Sequence, residues 1–110
     1  MEPQEDSMIT IHVKRLTSFS SIRGQMFRKE IIPVYFETRF GIHTFFMKHP
    51  IDVVILDDDH VVQKVAHNLK PWRIFVWNPK WFRVLELPAG TIAQRRIKLD
   101  SKVVVYFSPS

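Results

Sequence analysis

Apolar and polar positions along most of the chain follow the two-residue period of β-strands. Near the N-terminus, Ile9, Ile11 and Val13 alternate with polar residues, which predicts a strand with one buried face. The unbroken apolar run at residues 53–56 predicts a strand that is covered on both faces. By the same reasoning, further strands are predicted over residues 33–37, 45–47, 61–69, 74–77, 81–87 and 103–107.

Two short segments change to a helical period. Phe19, Ile22 and Met26 stand at positions i, i+3 and i+7, which predicts one short helix. A second short helix is predicted to begin at Thr91, which would cap its first amides, and to bury Ile92. About eight strands and two short helices at this spacing predict a mainly β fold, an antiparallel β-sandwich or a barrel-like domain.

Three consecutive carboxylates, Asp57, Asp58 and Asp59, separate two predicted strands and precede His60. A calcium loop needs oxygen ligands at alternating positions, a glycine and a closing glutamate, and this segment lacks that pattern. Asp side chains favour tight turns because they accept hydrogen bonds from nearby backbone amides. We therefore interpret residues 57–60 as a hairpin turn and not as a metal site.

Length and composition are those of one domain of 110 residues, with 45% hydrophobic residues for a single core. We expect residues 1–7 to be a disordered lead-in and residues 8–110 to form the domain. The absence of cysteine excludes disulfides, thiolate metal sites and a cysteine nucleophile. No apolar run is long enough to span a bilayer, and the N-terminus is acidic, so we expect a cytoplasmic protein.

Charge is divided unevenly between the two halves. Residues 1–59 hold 7 Lys and Arg against 9 Asp and Glu, whereas residues 60–110 hold 9 against 2. The second half therefore has a net charge of +7 (9 − 2), which is compatible with a polyanionic partner and also with a solvated basic surface.

Four blocks of the chain resemble the ordered signature blocks of an uncharacterised family, catalogued as domain of unknown function 192. The blocks are RGQMFR (23–28), FFMKHPIDVVILD (45–57), LKPWR (69–73) and VLELPAGT (84–91). The resemblance implies a compact, mostly β fold with short helices, and it implies no reaction, substrate or cofactor. His60 stands where the family usually has an aspartate-glycine turn, so the hairpin must either differ in geometry or tolerate strain there.

Residues of these blocks that are polar or unusually exposed for a strand are the candidate ligand-binding residues. They are Arg28, Lys48, His49, Asp52, Trp72, Arg73 and Glu86. Arginine suits carboxylate or phosphate, and tryptophan offers a flat face for a sugar or base, so we expect a binding module for a small anionic or ring-bearing ligand. In the alternative interpretation, Asp52 bonds turn amides and pairs with Arg73 or Lys48, while Trp72 closes one end of the fold.

Two other functions stay open from the sequence. Trp72, Trp77 and Trp81 lie among basic residues, a composition typical of non-specific single-stranded nucleic-acid binding. His43, His49 and Asp52 could together form a metal site of an enzyme, although their spacing matches no known motif. We predict no cofactor and no membrane partner, and the sequence does not indicate an oligomeric state.

Overall fold

A computed structural model describes residues 8–17 and 30–109 of the protein. These residues form eight strands and one short helix. The bounds are β1 Met8–Arg15, β2 Val34–Glu37, β3 Gly41–His43, β4 Ile51–Leu56, β5 Val62–Leu69, β6 Ile74–Val76, β7 Arg83–Pro88, α1 Thr91–Arg95 and β8 Lys102–Phe107. The first predicted helix, the predicted lead-in and Arg28 lie outside the described residues.

Six strands form one sheet in the order β5-β4-β7-β2-β1-β8, and β3 and β6 form a small second sheet. The large sheet curls into a half-barrel, and an isolated antiparallel bridge between Val61 and Lys102 joins its two ends. The predicted mainly β, barrel-like fold is therefore confirmed. The sheet is mixed, however, because β1 runs parallel to both β2 and β8. The chain between β1 and β2 is long enough for the crossover that a parallel pair requires.

Buried apolar side chains cover both faces of the large sheet. The face that α1 covers, here called the α1 face, is built from Ile9, Ile11, Val13, Tyr35, Val54, Leu56, Val62, Leu85, Leu87, Ile92, Ile97 and Val103. The opposite face is built from Leu16, Val34, Phe36, Met47, Ile51, Val53, Ile55, Trp77 and Val84, with Ile42 and Phe75 of the small sheet packed against it. Successive residues of β4 and β7 alternate between these cores, as both-sided burial requires.

The predicted strand at residues 45–47 is wrong. Gly41–His43, for which no strand was predicted, forms β3 instead and pairs with β6. Phe46 has a left-handed backbone (φ 70°) and the Met47 amide donates to the Thr44 carbonyl at 3.2 Å, so residues 44–47 turn. Three apolar side chains in succession are consistent with a buried strand or with a turn, and the sequence pattern alone does not distinguish the two.

The turn at residues 57–60 is confirmed. Asp57 Oδ1 accepts hydrogen bonds from the amides of Asp59 (2.8 Å) and Val61 (3.0 Å), and Oδ2 accepts one from Gln63 Nε2 (2.7 Å). Burial opposes ionisation of this carboxyl, but these hydrogen bonds outweigh it and lower its pKa. His60 adopts a left-handed backbone (φ 63°), so the hairpin does tolerate a strained residue.

Helix α1 is confirmed, and Ile92 is its buried residue. Thr91 does not cap it, since Gly90 holds the N-cap position and the Thr91 hydroxyl donates to the Pro88 carbonyl. Among the described residues, no helix has the length and hydropathy needed to cross a membrane.

Candidate functional site

Thr44 joins the loop after β3 to the loop after β5. Its side chain is completely buried, and its hydroxyl donates to the Lys70 carbonyl (2.6 Å) and accepts from the Arg73 amide (2.9 Å). Its backbone adds two more links, because its amide donates to the Arg73 carbonyl (2.8 Å) and its carbonyl accepts from the Trp72 amide (3.0 Å). Four hydrogen bonds from one residue therefore fix Trp72 and Arg73 beside residues 45 and 46.

Four ring-bearing side chains meet where these loops join, and we call them the aromatic surface: His43, Phe45, Phe46 and Trp72. Phe45 stacks on Trp72 with ring centroids 5.6 Å apart, and Phe46 packs edge-on against Trp72 at 4.7 Å. His43 stacks on Phe45, with ring centroids 4.7 Å apart. Phe46 and Trp72 nevertheless remain 57% and 56% exposed, so their rings are available for contact with another molecule.

Backbone strain accompanies this exposure. Phe46 (φ 70°) and Trp72 (φ 65°) are left-handed, and so is Phe40 (φ 78°), which precedes β3 and is 67% exposed. Left-handed geometry in a bulky residue costs roughly 1–3 kcal/mol. Because these three side chains are largely exposed, their burial offsets little of this backbone cost. Strained and exposed aromatic residues around one small sheet make this surface the candidate binding site.

The two segments of the chain that carry the aromatic surface contain charges of one sign. Residues 38–50 and 68–81 contain five Lys and Arg residues and no Asp or Glu. Of these, Lys48, Lys70 and Arg73 are exposed, and within the described part of the chain none of the three forms an ion pair. An anion bound at these segments would therefore meet their cations, and neither segment contains a competing carboxylate.

The outward face of the small sheet extends the aromatic surface. Ile74 and Val76 of β6 point outward and are exposed, and they pair with His43 and Gly41 of β3. A Cβ atom on Gly41 would lie 2.7 Å from the Phe75 carbonyl oxygen and 2.9 Å from Val76 Cγ1. Only glycine permits this close approach of the two strands.

Asp52 is not part of the aromatic surface. It is buried on the α1 face, where Oδ1 accepts from the Asn68 amide (2.8 Å) and Oδ2 accepts from the amides of Gly90 (3.1 Å) and Ile92 (2.8 Å). Its carboxylate thus supplies the cap that the sequence assigned to Thr91. As in the alternative interpretation, Asp52 bonds turn amides, but it pairs with neither Lys48 nor Arg73.

Glu86 lies on the opposite face of the sheet from Asp52. It is only 7% exposed, and its cross-strand neighbours are Val34 and Val53. Within residues 8–17 and 30–109 its carboxyl has no hydrogen-bond partner, and burial raises its pKa to about 7. His49 lies elsewhere again, along a groove of about 270 Å³ with Pro50 and Pro88.

The predicted site residues therefore do not form one site. Trp72, Arg73 and Lys48 belong to the loops of the aromatic surface, while Asp52, Glu86 and His49 occupy three other places and Arg28 is not described.

The metal hypothesis gains no geometric support. The Asp52 carboxylate is occupied by three amides, and the described residues contain no group of three His, Cys, Asp or Glu side chains able to hold a metal ion.

The three tryptophans also differ from one another. Trp77 is buried, and its Nε1 donates to the Trp81 carbonyl at 2.9 Å, while Trp81 is half-buried. Trp72 is thus the exposed tryptophan available for stacking.

Sequence reasoning missed Thr44, Phe45 and Phe46 as site residues. The adjacent phenylalanines were interpreted as a buried strand, which is the commoner setting for such a pair. The available signal was their position between a glycine-containing turn and a proline, next to an isolated threonine. That signal indicates a turn but not which rings remain exposed.

Comparison with known proteins gives the same family as the signature blocks. The model of the family catalogued as domain of unknown function 192, described as "Uncharacterized ACR", matches residues 2–105. A UPF0127 protein of Pyrococcus abyssi is 41% identical over 70 residues, which cover 62% of this chain and 59% of that protein. A UPF0127 protein of Pyrococcus horikoshii is 37% identical over 73 residues, covering 61% of this chain and 63% of that protein. The matches thus span about three fifths of the length of these two relatives.

Solved structures share the fold. A protein of unknown function from Novosphingobium aromaticivorans superposes with a TM-score of 0.71 at 20% identity, over 82% of this chain and 71% of that one. A structure from Sinorhizobium meliloti gives a TM-score of 0.70 at 18% identity, over 80% of this chain and 76% of that one. Because the family model matches nearly the whole sequence, this chain belongs to the family of domain of unknown function 192.

Proposed function

We propose that this protein is a non-catalytic binding module for an anionic, ring-bearing ligand, with a nucleotide as the best-fitting class. The observation that carries the proposal is the exposed pair Trp72 and Phe46, in two loop segments that contain Lys and Arg but no Asp or Glu. A base stacks on an aromatic ring with about 1–3 kcal/mol of stabilisation, whatever its identity. Lys48, Lys70 and Arg73 supply the positive charge that a phosphate requires.

A nucleotide fits better than a neutral saccharide. Carboxylates are the strongest acceptors for saccharide hydroxyls and the two loop segments carry none, whereas their cations suit a phosphate. The surface is also open, whereas strong electrostatic catalysis depends on a site that excludes water. A single stacked base and one or two charge contacts would give a dissociation constant of about 100 µM.

Tryptophan fluorescence tests the proposal. Adenosine monophosphate should quench the emission of Trp72 saturably, whereas inorganic phosphate and methyl glucoside at the same concentrations should leave it unchanged. The buried Trp77 and half-buried Trp81 contribute a constant background. Isothermal titration calorimetry then measures the same binding without relying on Trp72 as the probe.

The variant Trp72→Ala should weaken adenosine monophosphate binding at least tenfold in calorimetry, because the principal stacking surface is removed. Leu99→Ala is the matched control, since Leu99 is 59% exposed and lies in the loop between α1 and β8. Equal affinity in both variants, or no binding by the wild-type protein, would contradict the proposal.

A second candidate is single-stranded nucleic acid, which would follow the same surface over a greater length. Phe40 is exposed at the other end of the small sheet beside Arg39, and Ile74 and Val76 extend the apolar face between the two ends. An oligothymidylate would then bind more tightly than adenosine monophosphate, and its affinity would fall steeply with salt. Equal affinity for the mononucleotide and the oligonucleotide would exclude this candidate.

A further inference from the structure

The large sheet has two edge strands, β5 and β8, and they differ in how they are protected. An edge strand exposes backbone amides and carbonyls that can pair with another chain, and proteins usually block such edges with bulges, charges or proline. β5 carries two register irregularities against β4, and Asn68 near its end has a left-handed backbone (φ 52°). Lys64 adds a charge in the middle of β5. This edge is therefore protected in the usual ways.

β8 has none of these protections over residues 103–107. The segment is Val-Val-Val-Tyr-Phe, without charge, glycine or proline, and Lys102 at the start of the strand is its one charged residue. Tyr106 and Phe107 are exposed. An apolar, regular and unprotected edge of this kind is a pairing site.

The outward-pointing backbone groups of β8 can be assigned from its hydrogen bonds. The Val103 amide points away from β1, because it donates to the His60 carbonyl at 2.9 Å. The Ser108 amide points toward β1, because it donates to the Val13 carbonyl at 2.8 Å. Strand alternation therefore directs the amide and carbonyl groups of Val105 and Phe107 outward, where no strand of the described chain pairs with them.

We propose that β8 pairs antiparallel with β8 of a second copy of this chain, with Val105 opposite Phe107 of the second copy and the two-fold axis at Tyr106. In this register, the outward amide and carbonyl groups of Val105 and Phe107 in one copy meet those of Phe107 and Val105 in the other. Four backbone hydrogen bonds form. It also makes two cross-strand contacts between a β-branched and an aromatic residue, which stabilise antiparallel pairs. The two copies of Lys102 stay at opposite ends of the paired segment, so like charges do not meet.

A groove beside β8 lies where the paired segment would end. It has a volume of about 380 Å³ and lies between the turn at residues 57–60 and residues 102–105. In this register, Ser108 of the second copy lies opposite Val104, so the second strand leaves the edge before Val103, where His60 occupies the outward side. The Val103 amide is already bonded to His60, so it needs no partner from the second copy.

The paired segment is short, so the interface is smaller than the 1,200–2,000 Å² of a typical stable complex. We therefore expect a weak dimer whose population rises with concentration. Sedimentation velocity, measured from about 10 µM to about 1 mM, should show a monomer–dimer equilibrium and no larger species, since β5 is protected.

The decisive variant is Val105→Pro. It removes an amide that points outward and that β1 does not use, which is the setting in which an edge strand accepts proline. Val105→Thr is the control, because threonine is similar in shape and keeps the amide. We expect Val105→Pro to be monomeric at every concentration and Val105→Thr to dimerise like the wild type, with unchanged circular dichroism in both.

Tyr106→Lys is a second, independent variant in case proline disturbs folding. It changes only an exposed side chain, and it places two like charges together at the two-fold axis, so it should also be monomeric. A wild-type protein that stays monomeric at about 1 mM would overturn the proposal, and so would a dimer that persists in Tyr106→Lys.

Discussion

Two buried carboxyl groups of adjacent strands have opposite environments. In the register of β4 and β7, Asp52 lies opposite Leu87 and Glu86 lies opposite Val53, so the two acids are neighbours in the sheet but face opposite cores. Three backbone amides donate hydrogen bonds to the carboxyl oxygens of Asp52. Glu86 has only apolar cross-strand neighbours, and burial alone raises its pKa to about 7. Side chains alternate between the two faces of the β4–β7 pair. This alternation places Asp52 among backbone amides and Glu86 among apolar side chains, where its ionised form is disfavoured.

The Glu86 carboxyl predicts a pH dependence of stability. Its folded-state pKa of about 7 lies above the reference value of 4.5, so the native state binds more protons between these pH values. Stability should therefore be highest near pH 4.5, fall by roughly 3 kcal/mol as the pH rises to 7, and then level off. Urea unfolding of the wild type and Glu86→Gln at several pH values between 4.5 and 8 measures this effect.

Glu86→Gln should lack that fall and should be more stable than the wild type at pH 8, because no buried charge forms. The lowered pKa of Asp57 makes stability rise with pH instead, and it does so below pH 4.5. An identical pH dependence in both proteins would show that Glu86 is not the responsible group.

Separate elements are held together by single polar side chains in two places. Asp52 links β4 to the end of β5 and to the first turn of α1. Thr44 links the loop after β3 to the loop that precedes β6. Both side chains are buried and accept backbone amide hydrogen bonds, so each holds an irregular segment in a defined position.

Replacing Asp52 with alanine should destabilise the protein by about 3 kcal/mol, since it removes a cap and leaves three amides without their acceptor. Chemical denaturation at pH 7 measures the change. Asp59→Ala is a suitable control, because the Asp59 side chain is exposed in the turn, and we expect a change of no more than about 0.5 kcal/mol. Equal effects of the two substitutions would refute the structural role of Asp52.

Local patterns predicted most elements, including β6, but not its partner β3 in the small sheet. The alternation of Ile9, Ile11 and Val13 and the apolar run of β4 each report burial of the strand that carries them, and both strands were placed correctly. β3 is three residues long and contains a glycine that its close approach to β6 requires. Such a strand exists because of its partner, so its own sequence does not show it.

The whole molecule separates regions that the sequence placed together. Lys48 and Asp52 are four residues apart, yet one lies on an exposed loop and the other inside the α1 face. Trp72 and Arg73 were correctly expected in the loop after β5, and Thr44, which is distant in sequence, positions them. The candidate site was therefore predictable in its cationic and tryptophan components. Its phenylalanines were not, because exposure depends on which surfaces the sheet covers.

The curled sheet leaves three surfaces with different chemistry. The α1 face is closed by Ile92 and Asp52, the small sheet carries the aromatic surface, and β8 presents a free edge. A nucleotide and a second copy of the chain would thus use separate surfaces, and each proposal can fail without the other.

The central claim is that the aromatic surface binds a nucleotide, and amide chemical shifts measured during a titration with adenosine monophosphate test it most directly. Saturable shifts in residues 43–48 and 70–76, reduced in Trp72→Ala, are the predicted result, because the ring of the base would lie against these two loops. Spectra that do not change, or shifts confined to the groove beside Pro88, would contradict the account.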